Sequence, residues 1–455
     1  MYKIFSTFTG AGGLDIGFHG DFQFLGKNYP KLNFTTNKAL EINAHACETL
    51  KNDNKYFKNT TVLNEDITKV NPNDFKHENY DVLLGGFPCV TFSIVGKQIG
   101  LQDDINGKLY ENFVNFVEVL RPKVFLAENV KGILSANKGE AIKIITKRFE
   151  DTGYTLQVHL VNFADYGVPQ LRQRVLFIGV RDDIKETFIL PKHTHKNKHI
   201  TSQEAFENLN KKCVNHNFIK QLPTTTAKLQ AIPEGGNFKD LPPELAVKGR
   251  MSNIYRKLDR NKPAYTVLAS GGGGTWTYHY EEPRALSNRE RARLQAFPDD
   301  LIFKGSNTEV RRQIGNAVPA VGVYPFAREI ERVLDFMINI LKKFNGKIVF
   351  IKKIDKKLTL NYRKPIKFNW YGYPDLSNYS IINIKCLTLT GNYDKDTMKI
   401  KKIIKRKYSN RIKQNEYLWV YNLNSKSMDY VPKDLYLAIN NIHKIAKFRI
   451  LKTIK

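Results

Sequence analysis

Two short stretches carry residues able to do covalent chemistry on a flat heterocycle. The first is Tyr80-Asp81-Val82-Leu83-Leu84-Gly85-Gly86-Phe87-Pro88-Cys89, an apolar run entering a turn with a thiol at its tip. The second lies about 40 residues on, where Val124-Phe125-Leu126-Ala127 runs into Glu128-Asn129-Val130. Strands buried on both faces read as continuous apolar runs, so thiol and acid each stand at a strand end. Carbon 5 of cytosine is too weak a nucleophile to attack a methyl donor. A thiolate adding at carbon 6 makes carbon 5 an enamine-like carbanion equivalent. The ring accepts that addition only if an acid meets N3 as charge builds. Cys89 as nucleophile and Glu128 as acid, on opposite edges of one ring, supply both halves. A free cysteine is more often a small buried hydrophobe, but one that follows a strand and a proline and opens a glycine-containing loop is not placed for that role.

A ligand site is spelled around these groups. Lys3-Ile4-Phe5-Ser6-Thr7-Phe8 reads as a strand, followed by Thr9-Gly10-Ala11-Gly12-Gly13-Leu14-Asp15-Ile16-Gly17. A glycine-rich turn between strand and helix lets a nucleotide-like ligand approach the backbone. Asp15 stands where a dinucleotide fingerprint needs glycine, which argues against a nicotinamide or flavin site. Ala39-Leu40-Glu41 ends a second strand candidate with a carboxylate able to accept both ribose hydroxyls of a nucleoside. Val62-Leu63-Asn64-Glu65-Asp66-Ile67 ends a third. Downstream, Val168-Pro169-Gln170-Leu171-Arg172-Gln173-Arg174 enters another strand. Alternation there puts Arg172 and Arg174 on one face, where a guanidinium can donate to a carbonyl oxygen or a phosphate. A surface charge pair would be spelled the same way.

Together these stretches resemble the DNA (cytosine-5) methyltransferase family. Gly85 to Ser93 resembles its Pro-Cys motif, with Val90 where the family usually has Gln. Glu128-Asn129-Val130 resembles its Glu-Asn-Val motif, and the Phe-x-Gly-x-Gly-Gly spelling from Phe8 its S-adenosylmethionine loop. Gln170 to Arg174 resembles its Gln-x-Arg-x-Arg motif. Arg284 to Pro298, read as a helix capped by Ser287, resembles its ninth motif, and Gln313-Ile314-Gly315-Asn316-Ala317-Val318-Pro319 its tenth. The order is the usual one, over residues 4–320.

The resemblance implies an α/β fold with a Rossmann-like S-adenosylmethionine methyltransferase sheet, an irregular target-recognition domain and a basic C-terminal extension. It implies S-adenosyl-L-methionine as donor, held by Phe8, Gly10, Gly12, Gly13, Leu14, Glu41, Asp66, Ile67, Pro88, Leu109, Asn316 and Val318. In that reading Asp66 accepts from the adenine amino group and Ile67 packs on its ring. It implies catalysis by Cys89, Glu128, Arg172 and Arg174, with Arg174 reading the cytosine and Arg172 supporting it. The target base must leave the stack to reach Cys89. Gly96, Gly100 and Gly107 would let the loop after Cys89 close over DNA.

Organisation follows composition. Residues 1–180 alternate apolar runs with helical stretches such as Tyr110 to Leu120, the pattern of a doubly wound, mainly parallel sheet, and are read as the catalytic and cofactor-binding domain. Residues 181–284 break that pattern and are read as the target-recognition domain, residues 285–344 as the C-terminal part of the catalytic domain. Lys248, Arg250 and Ser252 lie in a donor-rich segment expected to precede a strand. Thr266, Ser270, Gly272 and Gly273 lie in a segment that resembles the family's second recognition loop, though a glycine run also suits a flexible linker. Residues 320–344 read as an amphipathic helix. Residues 345–455 form a basic accessory domain of open role, with strand-like runs at 347–354, 381–389 and 417–421.

The net charge of +28 suits a polyanionic partner. Its distribution is uneven: residues 341–455 hold 27 Lys and Arg against 7 Asp and Glu, net +20. That tail could grip phosphates, or simply present a solvated basic face. Four cysteines lack metal-ligand spacing, so no metal is expected. No long apolar run or N-terminal signal pattern is present, which points away from a membrane and to a reducing cytoplasm, at the nucleoid. The expected activity is methylation of cytosine carbon 5 in a specific double-stranded DNA sequence, by a monomer, protecting host DNA from a partner restriction endonuclease. Three rivals stand beside it. A tRNA cytosine-5 methyltransferase would carry a late Cys-Phe-Thr signature, which this chain lacks. A catalytically silent DNA-binding protein of the same fold would not need Cys89, Glu128 and Arg174. A cysteine hydrolase lacks a histidine placed near Cys89.

Overall fold

The computed structural model describes residues 1–52, 54–87, 109–184, 186–210, 212–248, 253–270 and 277–343, and four strands beyond them. The chain divides into two compact units, residues 1–181 with 189–331, and residues 182–188 with 332–455.

The first unit is built on a seven-stranded sheet. Its strands are β1 (Tyr2–Thr7), β2 (Phe34–Leu40), β3 (Thr61–Leu63), β4 (Val82–Gly85), β5 (Val124–Val130), β6 (Tyr154–Asn162) and β7 (Gln173–Arg181). Their spatial order is β3-β2-β1-β4-β5-β7-β6. Every residue of β4 is buried, as are the first six of β5, which is why β4 and the first four residues of β5 read as apolar runs, with Glu128 and Asn129 as buried polar residues after them. Helices α1 (Gly13–His19), α2 (Ala44–Lys51), α3 (Leu109–Leu120) and α4 (Glu140–Glu150) lie between the strands. On one face α3 and α4 bury Phe113, Phe116 and Phe149 against Phe5, Phe125 and Phe177. On the other, α1 meets α7 (Ala320–Lys343) at Gly17, where a Cβ would overlap Val323.

The mainly parallel sheet expected from the sequence has one reversed member. β7 runs antiparallel to both neighbours. Residues 163–172 are too short for the crossover of a dozen or more residues that a parallel return needs. The reversal matters for chemistry. It brings the start of β7 to the end of β5, with Arg174 opposite Val130 and Leu176 opposite Glu128.

Three local expectations are refined. The third strand stops at Leu63, and Asp66 instead caps a turn of 3-10 helix at Ile67–Lys69. Arg172 precedes β7 rather than alternating within it, because Gln170–Leu171 form a separate two-residue strand paired with Ala264–Tyr265. Residues after Asn253 form a turn and a lone bridge at Lys257, not a strand, since Tyr255 adopts φ 49°. The helix expected after Ser287 is α5 (Asn288–Leu294), with the full reciprocal cap between Ser287 and Glu290. It is followed by α6 (Asn307–Asn316).

The second unit contains a small antiparallel sheet of Lys347–Lys352, Leu387–Thr388, Glu416–Asn422 and Ser427–Asp429. Two of these fall within the strand-like runs read from the sequence, and Glu416–Asn422 extends the run at 417–421 by one residue at each end. Among the described residues no helix is long and apolar enough to cross a membrane.

Candidate active site

A cavity of about 740 Å³ opens at the carboxyl ends of β1, β2, β4 and β5, the edge where open α/β sheets place ligands. Three stretches far apart in sequence close it: the turn after β1, the Gln170-to-Arg174 segment, and residues 312–318 at the end of α6. Of the residues expected to hold a donor, Phe8, Gly10, Leu14, Glu41, Asp66, Ile67, Leu109, Asn316 and Val318 line it.

Glu41 is fixed by two backbone donors, Gly10 N–H to Oε2 and Asn43 N–H to Oε1, both at 2.8 Å. Burial raises its pKa, against those hydrogen bonds. At Gly10 nothing stands where a Cβ would be, so the turn presents bare backbone to the cavity. Gly12 and Gly13 serve packing instead. At Gly12 the backbone is left-handed (φ 78°) and Phe57 fills the space a side chain would need. At Gly13 a Cβ would overlap the Val318 carbonyl oxygen. Gly13→Ala is therefore expected to lower stability by about 1–3 kcal/mol, the usual range for overpacking, and to loosen the 315–318 wall. Chemical denaturation measures the first effect; ligand affinity at equal folded fraction measures the second.

The acid sits opposite. Glu128 and Arg174 meet at 2.8 Å between Oε1 and Nε, with side chains only 10% and 13% exposed. The pair is in charge contact without an aligned hydrogen bond, so Oε1 keeps an unmet acceptor. Beside it, the Asn129 amide donates to the Phe87 carbonyl at 3.3 Å and so ties the end of β5 to the turn after β4. Pro88 and Cys89 follow directly in the chain and lie outside the described residues, as do Arg250, Ser252, Gly272 and Gly273. The two described thiols, Cys47 and Cys213, do not line the cavity, and burial pushes Cys47 up to about 11 and raises Cys213 as well.

Arg172 also lines the cavity, at 2% exposure, and burial pulls its guanidinium well below the usual range. It donates to backbone carbonyls of Gly315 (3.1 Å), Ala317 (3.0 Å) and Val267 (3.5 Å). Ser270 reaches the same cavity, Thr266 donates to the Leu171 carbonyl at 2.7 Å, and Lys248 is exposed.

Sequence reasoning passed over Asp15 except as a missing glycine. It is fully buried, lines the cavity, and accepts from Ser6 (3.0 Å) and Thr36 (2.8 Å). Burial pushes it up to about 6. Nothing in a single sequence marks such a residue, because its partners lie on two different strands. The arginines of α5 were also silent. Arg289 holds the carbonyls of Val214 and Leu301, and Arg293 those of Ala205 and Glu207, so this helix braces residues 205–214. Among the described residues no group of three or more His, Cys, Asp or Glu could hold a metal ion.

Fold and cavity define an α/β methyltransferase. The profile of the C-5 cytosine-specific DNA methylase family matches residues 2–332. The chain is 46% identical over 337 residues to the Type II methyltransferase M.NgoFVII of Neisseria gonorrhoeae, covering 72% of this chain and 86% of that protein. It is 40% identical over 325 residues to the Type II methyltransferase M.BbvI of Brevibacillus brevis, covering 69% and 87%. A crystal structure of a DNA modification methyltransferase encoded within an E. coli prophage superposes with a TM-score of 0.58 at 21% identity, over 74% of this chain and 100% of that one, which supports the fold. The chain belongs to the C-5 cytosine-specific DNA methylase family. It is a DNA (cytosine-5-)-methyltransferase of the restriction-modification kind.

Proposed function

We propose that the protein methylates carbon 5 of a cytosine flipped out of a specific double-stranded DNA sequence, with S-adenosyl-L-methionine as donor and Cys89 adding to carbon 6. The convergence of Glu128 and Arg174 on one cavity with the pinned Glu41 carries the reading, because it offers an acid and a cation for a ring on one side and a nucleoside acceptor on the other. The donor fits the residues present: Glu41 is held with lone pairs to spare for ribose hydroxyls, and Ile67 and Leu109 give apolar surface. Bound there, it would supply a methyl group on a sulfonium, activated for attack by carbon 5.

The chain's own groups do the rest. The Cys89 thiolate forms a bond to carbon 6 while Glu128 delivers a proton to N3, so no full charge accumulates on the ring. Arg174 holds the Glu128 carboxyl and donates to O2 of the cytosine. Once carbon 5 is methylated, loss of its proton to solvent, return of the N3 proton to Glu128 and expulsion of the thiolate restore the aromatic ring. Arg172 keeps the wall of the cavity in place. Lys248, Arg250, Ser252, Thr266, Ser270, Gly272 and Gly273 read or approach the DNA, within a recognition region of residues 181–284 braced by α5. The enzyme works as a monomer at the nucleoid, and protects its sites from a partner endonuclease. The Type II names of its relatives support that last role.

Bisulfite sequencing of DNA from cells expressing the chain tests the reading: one recurrent sequence methylated at one cytosine is expected, and random or absent conversion protection would refute it. The same experiment on a chain cut after residue 344 should give the same sequence. The removed residues 345–455 hold 25 Lys and Arg against 7 Asp and Glu, net +18, so the shortened protein should bind DNA more weakly and with a flatter salt dependence, since each phosphate contact contributes a slope of about 0.9 in log K against log salt. An unchanged slope would mark the tail as a solvated face, and a changed sequence would move part of the readout into it.

A further inference from the structure

The Gln170-to-Arg172 segment is hydrogen-bonded to two walls with different tasks. Arg172 holds the Gly315 and Ala317 carbonyls of the donor wall and, through its other terminal nitrogen, the Val267 carbonyl of the recognition segment. Gln170 accepts from Val267 N–H at 2.9 Å, and its amide donates to the Leu294 carbonyl at 2.8 Å and to Gln295, which in turn donates to the Ala317 carbonyl. The two walls also touch directly. At Gly315 a Cβ would overlap the backbone of Ala269. The Thr266 hydroxyl and the Ala264–Tyr265 pairing fasten the recognition segment to Gln170–Leu171.

Arg172 is 2% exposed and its Nε already lacks a partner, so losing a carbonyl when one wall moves would leave a further buried donor unmet, which is costly. Displacement of residues 315–318 is therefore passed to residues 264–270, and the reverse. We propose that Arg172 is a positioning residue that couples the two ligands: donor against residues 315–318 orders the segment that meets DNA, and DNA orders the donor wall. This rests on the assignment of the cavity to the donor and of residues 264–270 to DNA. Coupling between binding sites is reciprocal and typically 5- to 150-fold.

The test measures the Kd of S-adenosylhomocysteine by calorimetry, with and without a duplex carrying the mapped site, for the wild-type protein and Arg172→Lys. Wild type should bind at least about 5-fold tighter with the duplex. In Arg172→Lys the ratio of the affinities with and without DNA should fall toward one, whatever its affinity without DNA becomes, a pattern that mere loss of packing does not produce. Equal affinities in wild type, or full coupling in the variant, overturn the proposal. Should the variant not fold, hydrogen exchange on the wild type decides: added S-adenosylhomocysteine should slow the amides of residues 264–268, and protection confined to residues 8–10, 41 and 315–318 counts against coupling. Absence of any S-adenosylhomocysteine binding would instead refute the donor assignment on which the proposal stands.

Discussion

Cys89→Ser should abolish methyl transfer while leaving DNA binding intact. The hydroxyl is nearly isosteric with the thiol, so the pocket keeps its shape, but an alcohol is far weaker as a nucleophile than a thiolate. Removing a covalent nucleophile costs up to about 10⁶-fold in kcat where it has been measured, and a fall of at least about 10⁴-fold is expected here. Incorporation of tritiated methyl groups, beside a gel-shift titration of the same preparation, measures both halves. Turnover near wild type would remove Cys89 from the chemistry. The described thiols could not take its place: Cys47 is buried with its thiol near 11, and burial raises Cys213 too.

Glu128→Gln should slow methyl transfer by about 10²–10⁴-fold, the usual worth of acid–base assistance, with little change in donor affinity. The amide matches the carboxyl in shape, but it has no proton to deliver to N3. Glu128 lies opposite Glu41 in the cavity and makes no hydrogen bond to the Gly10 turn, so the donor side should be undisturbed. The charge contact with Arg174 at 2.8 Å is lost, and removing one partner of a largely buried pair destabilises. A thermal melt of the variant is therefore read alongside its kinetics. A collapse of donor affinity at normal folding would transfer Glu128 to the donor pocket.

Much of this site was legible because its residues sit at strand ends, where apolar run, turn and polar residue follow one another in sequence. Glu41 directly follows β2, Glu128 lies near the end of β5, and the glycine-rich turn follows β1 directly. What was hidden depends on pairing between distant segments. The reversal of β7 cannot be read from Gln173 to Val180 alone; it follows from the short return from β6, and it is what brings Arg174 to Glu128. Arg172 looked like an alternate member of one strand, but the short pairing of Gln170–Leu171 with Ala264–Tyr265 interrupts that strand and turns its guanidinium onto carbonyls. Gly12 and Gly13 were read as ligand-facing because glycine suits close approach, and their neighbours Phe57 and Val318 come from elsewhere in the chain. Asp15 was silent for the same reason, since Ser6 and Thr36 meet it from two strands.

The most direct test of covalent catalysis uses duplex DNA with 5-fluorocytosine at the methylated position. After thiolate addition and methyl transfer, fluorine cannot leave carbon 5 as a proton does, so elimination stalls with the enzyme attached. With S-adenosylmethionine present, wild-type protein should form an adduct that survives denaturing electrophoresis, mapping to the peptide that contains Cys89, and Cys89→Ser should form none. Efficient methylation of ordinary cytosine at that site together with no adduct on the fluorinated duplex would contradict thiolate addition as the route.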